Sequence, residues 1–460
     1  MSLIDVLLIF VYMCLFIACG VLYMSLRPQY GVYRKYFYLG LMLKLIGGIG
    51  FALIYTFYYT YGGDTVTYFK DAANLNRLMV ADFGDYISYV VGDLGEQDLR
   101  YEQGLHTFFH HKGTSEFFVT RFTSIFSFLG LGNFYTTTLF FAFLSFTGVW
   151  HMFLVFVRRY PEVKFKMGFA VLFIPSVFFW GSGLMKDSVT IGFLGVLLYY
   201  LDKMKRNEGY KVMNVLAILV SCYVIFNVKA YVLMSFLPAA IIWFMMEYLE
   251  RIKNPVVKSL ALPFFLVMSA VGVYSSIVAL GAYNDDYAIE SFFKKAKGMQ
   301  TWHYQEGNNT SEQFGRGSSY TIGDYEESYA GLASVFPAAV NVTLFRPYIT
   351  EVGNPMMLFS ALESLAILLA TIYIFLGLGF FKVLKYLYND SFLLMCFVFA
   401  IFFAFAVGFT SYNFGALVRY KIPCIPFFVA TLFILERRAK DGRKIKTNRN
   451  RPMMSGSVEK

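Results

Sequence analysis

Long apolar runs recur along the whole chain, separated by short loops that are alternately basic and aromatic. The runs cover residues 3–26, 36–60, 133–157, 167–184, 188–202, 212–228, 231–249, 259–282, 355–381, 391–411 and 421–436. About 20 apolar residues in a helix cross the roughly 30 Å of a bilayer's hydrocarbon. The pattern therefore predicts an all-α polytopic membrane bundle of about eleven transmembrane helices. The stretch 115–130 is amphipathic instead, and Arg121 within it argues for an interfacial or re-entrant helix. The last run is short, and its span is expected to begin as early as Ala416.

Composition agrees with a lipid environment. Of 460 residues, 57% are hydrophobic and 15% charged, against about 25% charged in a soluble domain. The net charge of +10 comes mostly from short loops and from the tail, where it marks membrane topology and argues against nucleic acid as a partner. Five cysteines lie in or beside apolar runs without metal-site spacing and read as core residues. The first run is too long for a signal-peptide core and has no basic residue ahead of it, so it reads as a span.

Basic loops alternate with acidic or neutral ones. Arg34 and Lys35, Arg158 and Arg159, Lys203 to Arg206, Arg251 and Lys253, Lys382 and Lys385, and the tail from Arg437 all fall on one side. The positive-inside tendency makes that side cytoplasmic, with the N-terminus outside and the C-terminus in the cytoplasm. Residues 1–436 then form a single transmembrane domain with two outer loops, 61–115 and 283–354, and residues 437–460 a basic cytoplasmic tail on membrane lipid.

Charges at the outer span ends need a reason, because a charge near hydrocarbon is costly. Asp64 follows Gly62 and Gly63 and opens a stretch with Tyr68, Ala72, Leu75, Leu78 and Met79 at helical spacing. It reads either as an N-cap or as a carboxylate able to take a proton at the membrane surface. Lys186 and Asp187 lie in a tight hairpin between two spans, where a helix cap with a snorkelling lysine competes with a functional pair. Lys229 occupies a very short turn without an acidic sequence neighbour. Arg346 and Glu351 flank Pro347 and are spaced to pair with each other. Arg419 and Lys421 close the series. Each is more simply structural alone. Together they would suit a phosphate at the lipid–water boundary, since Arg presents a bidentate fork to its oxygens. Glu363 and Lys44, inside spans, must face protein or a wet cavity. His106, His110 and His111 read as loop residues.

The Asp64–Tyr68 segment with its following helix resembles the first periplasmic loop of GT-C membrane glycosyltransferases. The segments Phe345–Tyr348 with Glu351, and Asn413–Pro423, are similar to stretches in bacterial exopolysaccharide and O-antigen polymerase-like membrane proteins. The resemblance implies a GT-C-like fold in a bacterial inner (plasma) membrane. It also implies transfer from a polyprenyl-phosphate- or polyprenyl-pyrophosphate-linked sugar to a saccharide acceptor, with Asp64 as base and Arg346 and Arg419 on the pyrophosphate. Tyr68, Lys186, Asp187, Lys229, Glu351 and Lys421 are the further substrate-site candidates. No cofactor motif is evident, and a divalent metal is compatible with such a donor although no ligand cluster argues for one. Two other classes stand open: a lipid or sugar transporter or flippase, and a non-catalytic scaffold of polysaccharide assembly. Oligomeric state is not legible.

Overall fold

The computed structural model describes residues 1–59, 63–92, 114–250, 297–298, 301 and 319–449. Helices dominate these residues, and the only sheet-like feature among them is an isolated bridge between Ser319 and Asn413. The helices are α1 (Leu3–Ser25), α2 (Arg34–Phe57), α3 (Asp64–Ala81), α4 (Phe83–Val91), α5 (Thr114–Leu129) and α6 (Phe134–Arg159). Next come α7 (Lys164–Gly168), α8 (Pro175–Phe179), α9 (Lys186–Lys205) and α10 (Lys211–Glu250). The last six are α11 (Tyr329–Phe345), α12 (Pro355–Leu378), α13 (Phe380–Tyr388), α14 (Ser391–Ser411), α15 (Phe414–Tyr420) and α16 (Ile425–Arg449). Six helices are long and apolar enough to cross a membrane, or up to eight if each of two bent pairs counts as one span. The chain is an all-α integral membrane protein. The expected span 259–282 and the loop histidines lie outside the described residues.

Three stretches are not uninterrupted helices: two of them are predicted as single spans, and the third covers the two predicted spans 212–228 and 231–249 with the short turn between them. The run 167–184 is broken: a π-helical turn at Phe169–Phe173 follows α7, and Pro175 restarts the chain as α8. Proline removes a donor and blocks the preceding turn, so the helix breaks before it and bends by 49°. The final run is split at Lys421, and α15 meets α16 at 66°. Its second piece also overruns the expected domain boundary at 436, because α16 continues to Arg449. Arg437 with Asp441 and Lys440 with Glu436 pair at i,i+4 across that boundary and support the helix.

The third case is α10. A straight helix of this length would span about 60 Å. Yet Asn214, near its start, donates to the Glu208 carbonyl, while Lys205, three residues before Glu208, donates to the Trp243 carbonyl at 2.9 Å. Lys229, midway, is extended (φ −152°, ψ 79°) and bonds to Asp187 at the opposite end of α9. The chain therefore reverses at Lys229. Its second arm runs antiparallel to α14, with ring contacts Tyr231–Phe403, Phe236–Phe399 and Trp243–Phe392 in descending order.

The core is aromatic and aliphatic, centred on α2, α6, α9, the second arm of α10, α14 and α16. The α6–α9 crossing is backbone on backbone. A Cβ on Gly148 would lie 1.7 Å from the Gly192 carbonyl oxygen, so only glycine permits the approach. Two ends of the bundle result. Asp5, Thr56, Asn133, Tyr135 and Lys186 mark one, through Asn133–Asp5 and Tyr135–Thr56 hydrogen bonds. Arg158, Arg159, Asp202 and Trp243 mark the other.

Two charges, a half-buried Glu363 and a fully buried Lys44, hold the broken span. Glu363 of α12 accepts from the Ser176 N–H at 2.9 Å and the Ser176 hydroxyl at 2.7 Å, at the start of α8. Lys44 of α2 donates to the Val177 carbonyl in the last turn of α8 at 2.9 Å, to the Gly181 carbonyl just beyond it at 2.7 Å, and to Ser145 Oγ at 2.8 Å. An anion at the start and a cation at the finish complement the exposed N–H and C=O groups of a short helix. Lys44 thus has three acceptors inside the protein.

Candidate functional site

Asp64 is the first residue of α3, not its cap. Gly63 occupies the cap position with φ +144°, a value glycine adopts freely, and no side chain caps this end. The Asp64 carboxylate is exposed and makes no ion pair among the described residues. Behind it, Thr65, Tyr68, Asp71, Ala72, Leu75 and Leu78 recur every three to four positions and bury one face of α3. Within that face the Thr65 hydroxyl has no hydrogen-bond partner among the described residues.

Around this helix end the structure collects groups from four other elements. Lys186, at the start of α9, donates to Glu116 of α5 at 2.5 Å and to Ser115 Oγ at 2.9 Å. Next to it Asp187 takes the Lys229 ammonium at 2.5 Å, and both are buried. That ammonium also lies 4.3 Å from the centre of the Tyr420 ring on α15. Neither Lys186 nor Asp187 plays the bland role read from sequence, since both are engaged by partners remote in the chain. Arg419 of α15 is half-buried. Its contacts are the Met185 sulfur at 4.0 Å and the Tyr420 ring at 5.8 Å, and no carboxylate pairs with it among the described residues. Asp187, Asp64 and Tyr55 lie within its electrostatic reach. Tyr68 joins the group: burial first, then the charges of Asp64, Glu116 and Asp187, push its hydroxyl well above the usual tyrosine range.

Six predicted site residues therefore share one end of the bundle: Asp64, Tyr68, Lys186, Asp187, Lys229 and Arg419. Three carboxylates, counting Glu116, meet three cations. Two of the three pairs close, and Asp64 and Arg419 stay open. Sequence reasoning missed Glu116, Tyr55 and Tyr420. Glu116 carried a signal, as the acidic residue in the first turn of the amphipathic 115–130 stretch.

The remaining three candidates lie apart. Arg346 and Glu351 form a local ion pair, and the Tyr348 N–H adds a hydrogen bond to Glu351 at 2.8 Å. The Arg346 guanidinium lies over Tyr320 and Phe414. Lys421 is fully buried at the α15–α16 break and donates to Ser364 Oγ at 2.9 Å. That hydroxyl in turn donates to the Arg346 carbonyl at 3.1 Å. Phe414 and Arg419 both belong to α15, so this second network frames the first without entering it.

Among the described residues no three His, Cys, Asp or Glu side chains gather as a metal site. No protein-family model, curated protein or solved structure matches this chain. The functional argument rests on the chemistry of the site itself.

Two carboxyls, Glu116 in the site and Glu351 in the network beside it, make a pH prediction. Burial raises Glu116, but the Lys186 charge and hydrogen bonds from Lys186 and Ser115 outweigh it and hold the group below 4.5. Glu351 behaves alike, with Arg346 and the Tyr348 N–H outweighing burial. A depressed carboxyl contributes its full stability above the unfolded value and loses it as pH falls through the folded one. Melting of the purified protein should hold steady on this account down to about pH 5 and fall below it. Glu351→Gln should flatten part of that acid limb; an unchanged limb would refute the assignment.

Proposed function

We propose that this chain is a GT-C-like membrane glycosyltransferase or polysaccharide polymerase, acting on a polyprenyl-phosphate- or pyrophosphate-linked sugar. In this reading it crosses the membrane about eleven times, with Asp64 on the non-cytoplasmic side. The observation that supports it is the open pair: an exposed carboxylate and a half-buried guanidinium, neither with an ion-pair partner among the described residues, within electrostatic reach of each other.

The chemistry follows from their types. The lipid-linked sugar enters laterally. Arg419 accepts its phosphate, presenting donors that no protein carboxylate occupies. The acceptor hydroxyl attacks the anomeric carbon, the bond from that carbon to the phosphate oxygen breaks, and Asp64 takes the hydroxyl proton. Charge growing on the departing phosphate is met by Arg419, with Lys186 and Lys229 adding field from their ion pairs. Arg346, matched by Glu351, and Lys421, bound to Ser364, shape the surroundings of α15.

A second reading has an observation of its own. Two bent helix pairs, with buried Lys44 and Lys421 and half-buried Glu363 at their breaks, resemble the discontinuous helices of transporters. One experiment separates the two. Inverted and right-side-out vesicles carrying the chain are supplied with radiolabelled lipid-linked sugars, and label is followed into saccharide that organic solvent no longer extracts. Arg419→Gln should lower that transfer by about 10²-fold or more, whereas Arg346→Gln should lower it far less. Label that crosses the bilayer while remaining lipid-linked, with no new glycosidic bond, would favour the transporter.

A further inference from the structure

The end of the bundle opposite Asp64 carries a second concentration of charge that the proposed reaction does not use. Asp202 of α9 is fully buried and accepts from three arginines: Arg158 at 3.1 Å, Arg159 at 2.6 and 2.9 Å, and Arg206 at 3.0 Å. One carboxylate cannot neutralise three guanidiniums. Arg206 also reaches Glu208, but Lys203 has no acidic partner among the described residues and lies over Tyr199 and Tyr200. Leaving Lys205 aside, the four cations Arg158, Arg159, Arg206 and Lys203 stand against the two acids Asp202 and Glu208 among the described residues, an excess of two positive charges.

The dipoles of α6 and α9, whose C-termini lie here, account for cations at these positions. They do not account for two unsatisfied donors. Among the described residues Arg206 Nη2 is buried without a hydrogen-bond partner, and so is the Nε1 of Trp243, whose residue is fully buried. The Trp243 ring lies 4.7 Å from the Arg159 guanidinium and 4.3 Å from the Lys205 ammonium, so the indole belongs to the same cage. A buried donor without an acceptor is expensive, and native proteins leave few of them. The cage is not sealed: the side chains of Arg158 and Arg206 keep 31% and 25% of their exposure. Beside it Tyr210, Val212 and Met213 of the chain entering α10 present exposed apolar surface.

We propose that this cage is a phosphate-binding site, taking an anionic phosphodiester or phosphomonoester between the ends of α6, α9 and the second arm of α10. Phosphate oxygens supply the acceptors that Arg206 and Lys203 lack, and their charge offsets the excess left by Asp202. The ligand's source is either the headgroup of an anionic phospholipid, its acyl chains against Tyr210 and Val212, or free phosphate from solution. The site is independent of the glycosyl-transfer reading.

The test uses the full chain in lipid nanodiscs of neutral phosphatidylcholine, with and without phosphatidylglycerol. Melting should rise by roughly 5 °C or more in the anionic discs. Lys203→Gln breaks no ion pair and should remove about half of that rise. Trp243→Phe keeps the ring and deletes the donor, and it should reduce the rise as well. Lys382→Gln, on α13 and outside the cage, should leave it intact. Millimolar inorganic phosphate in neutral discs is the second arm: a saturable rise, lost in Lys203→Gln, assigns the site to a soluble phosphate. If neither lipid nor phosphate raises the melting temperature, or if all variants share the rise equally, the site is refuted.

Discussion

Asp64→Asn is expected to abolish sugar transfer, by about 10²–10⁴-fold in rate, while the yield and melting temperature of the protein stay as they are. The two halves of the result have separate causes. Asparagine keeps the size and the hydrogen-bonding oxygen but cannot take a proton at neutral pH. The fold does not depend on the charge, because the carboxylate is exposed, does not cap α3, and makes no ion pair among the described residues. The neighbouring acids differ on this point. Glu116 and Asp187 are each held by a lysine, so neither is free to act as the base. Measuring transfer and thermal melting on the same preparation decides the matter. Full activity in Asp64→Asn would remove the base from this position and with it the site as drawn.

The largest expected effect on stability comes from Asp187→Ala. It strands the Lys229 ammonium, 7% exposed, at the apex of the α10 reversal beside the faces of Tyr231 and Tyr420, with no other carboxylate paired to it among the described residues. Removing one partner of a buried ion pair typically costs about 3–5 kcal/mol. The cost should appear as a sharp fall in melting temperature and in the fraction of monodisperse protein. Combining Asp187→Asn with Lys229→Met should restore most of it, since no charge is then left buried. If Asp187→Ala melts like the parent, the pair does not hold the two spans, and the reversal has another cause.

The fold was legible wherever hydrophobicity alone decides it. Residues 3–25, 134–159 and 391–411 are apolar runs bounded by caps or charges, and each became one helix. Amphipathic spacing likewise exposed α3 and α5. Legibility ended where a distant partner sets the outcome. Nothing near Lys229 in sequence names Asp187, 42 residues away on another helix. Asp71, a charged residue on the same helix as Asp64, is fully buried, which the helical spacing of its apolar neighbours does not announce. The breaks at Pro175 and Lys421 fall in runs that hydrophobicity alone reads as continuous, and at the first of them Glu363 and Lys44 compensate the freed backbone from other spans. Arg346 was read as a phosphate ligand from its position, whereas Glu351, also read correctly as its neighbour, occupies it. Charge alone marks candidates; only the pairing pattern separates the open Arg419 from the closed ones.

The buried lysine of α2 has a consequence for biogenesis. Its three acceptors lie 101, 133 and 137 residues further along the chain. During synthesis α2 therefore enters the bilayer long before anything exists to receive its ammonium, at a cost of about 2.5–3.5 kcal/mol on the insertion scale. The helix must wait, sheltered at the insertion machinery or tilted so that its charge reaches the surface, until α6 and α8 have been made. Assembly of this bundle is thus ordered in time: an early span is placed provisionally and becomes permanent only when a later, broken one docks against it.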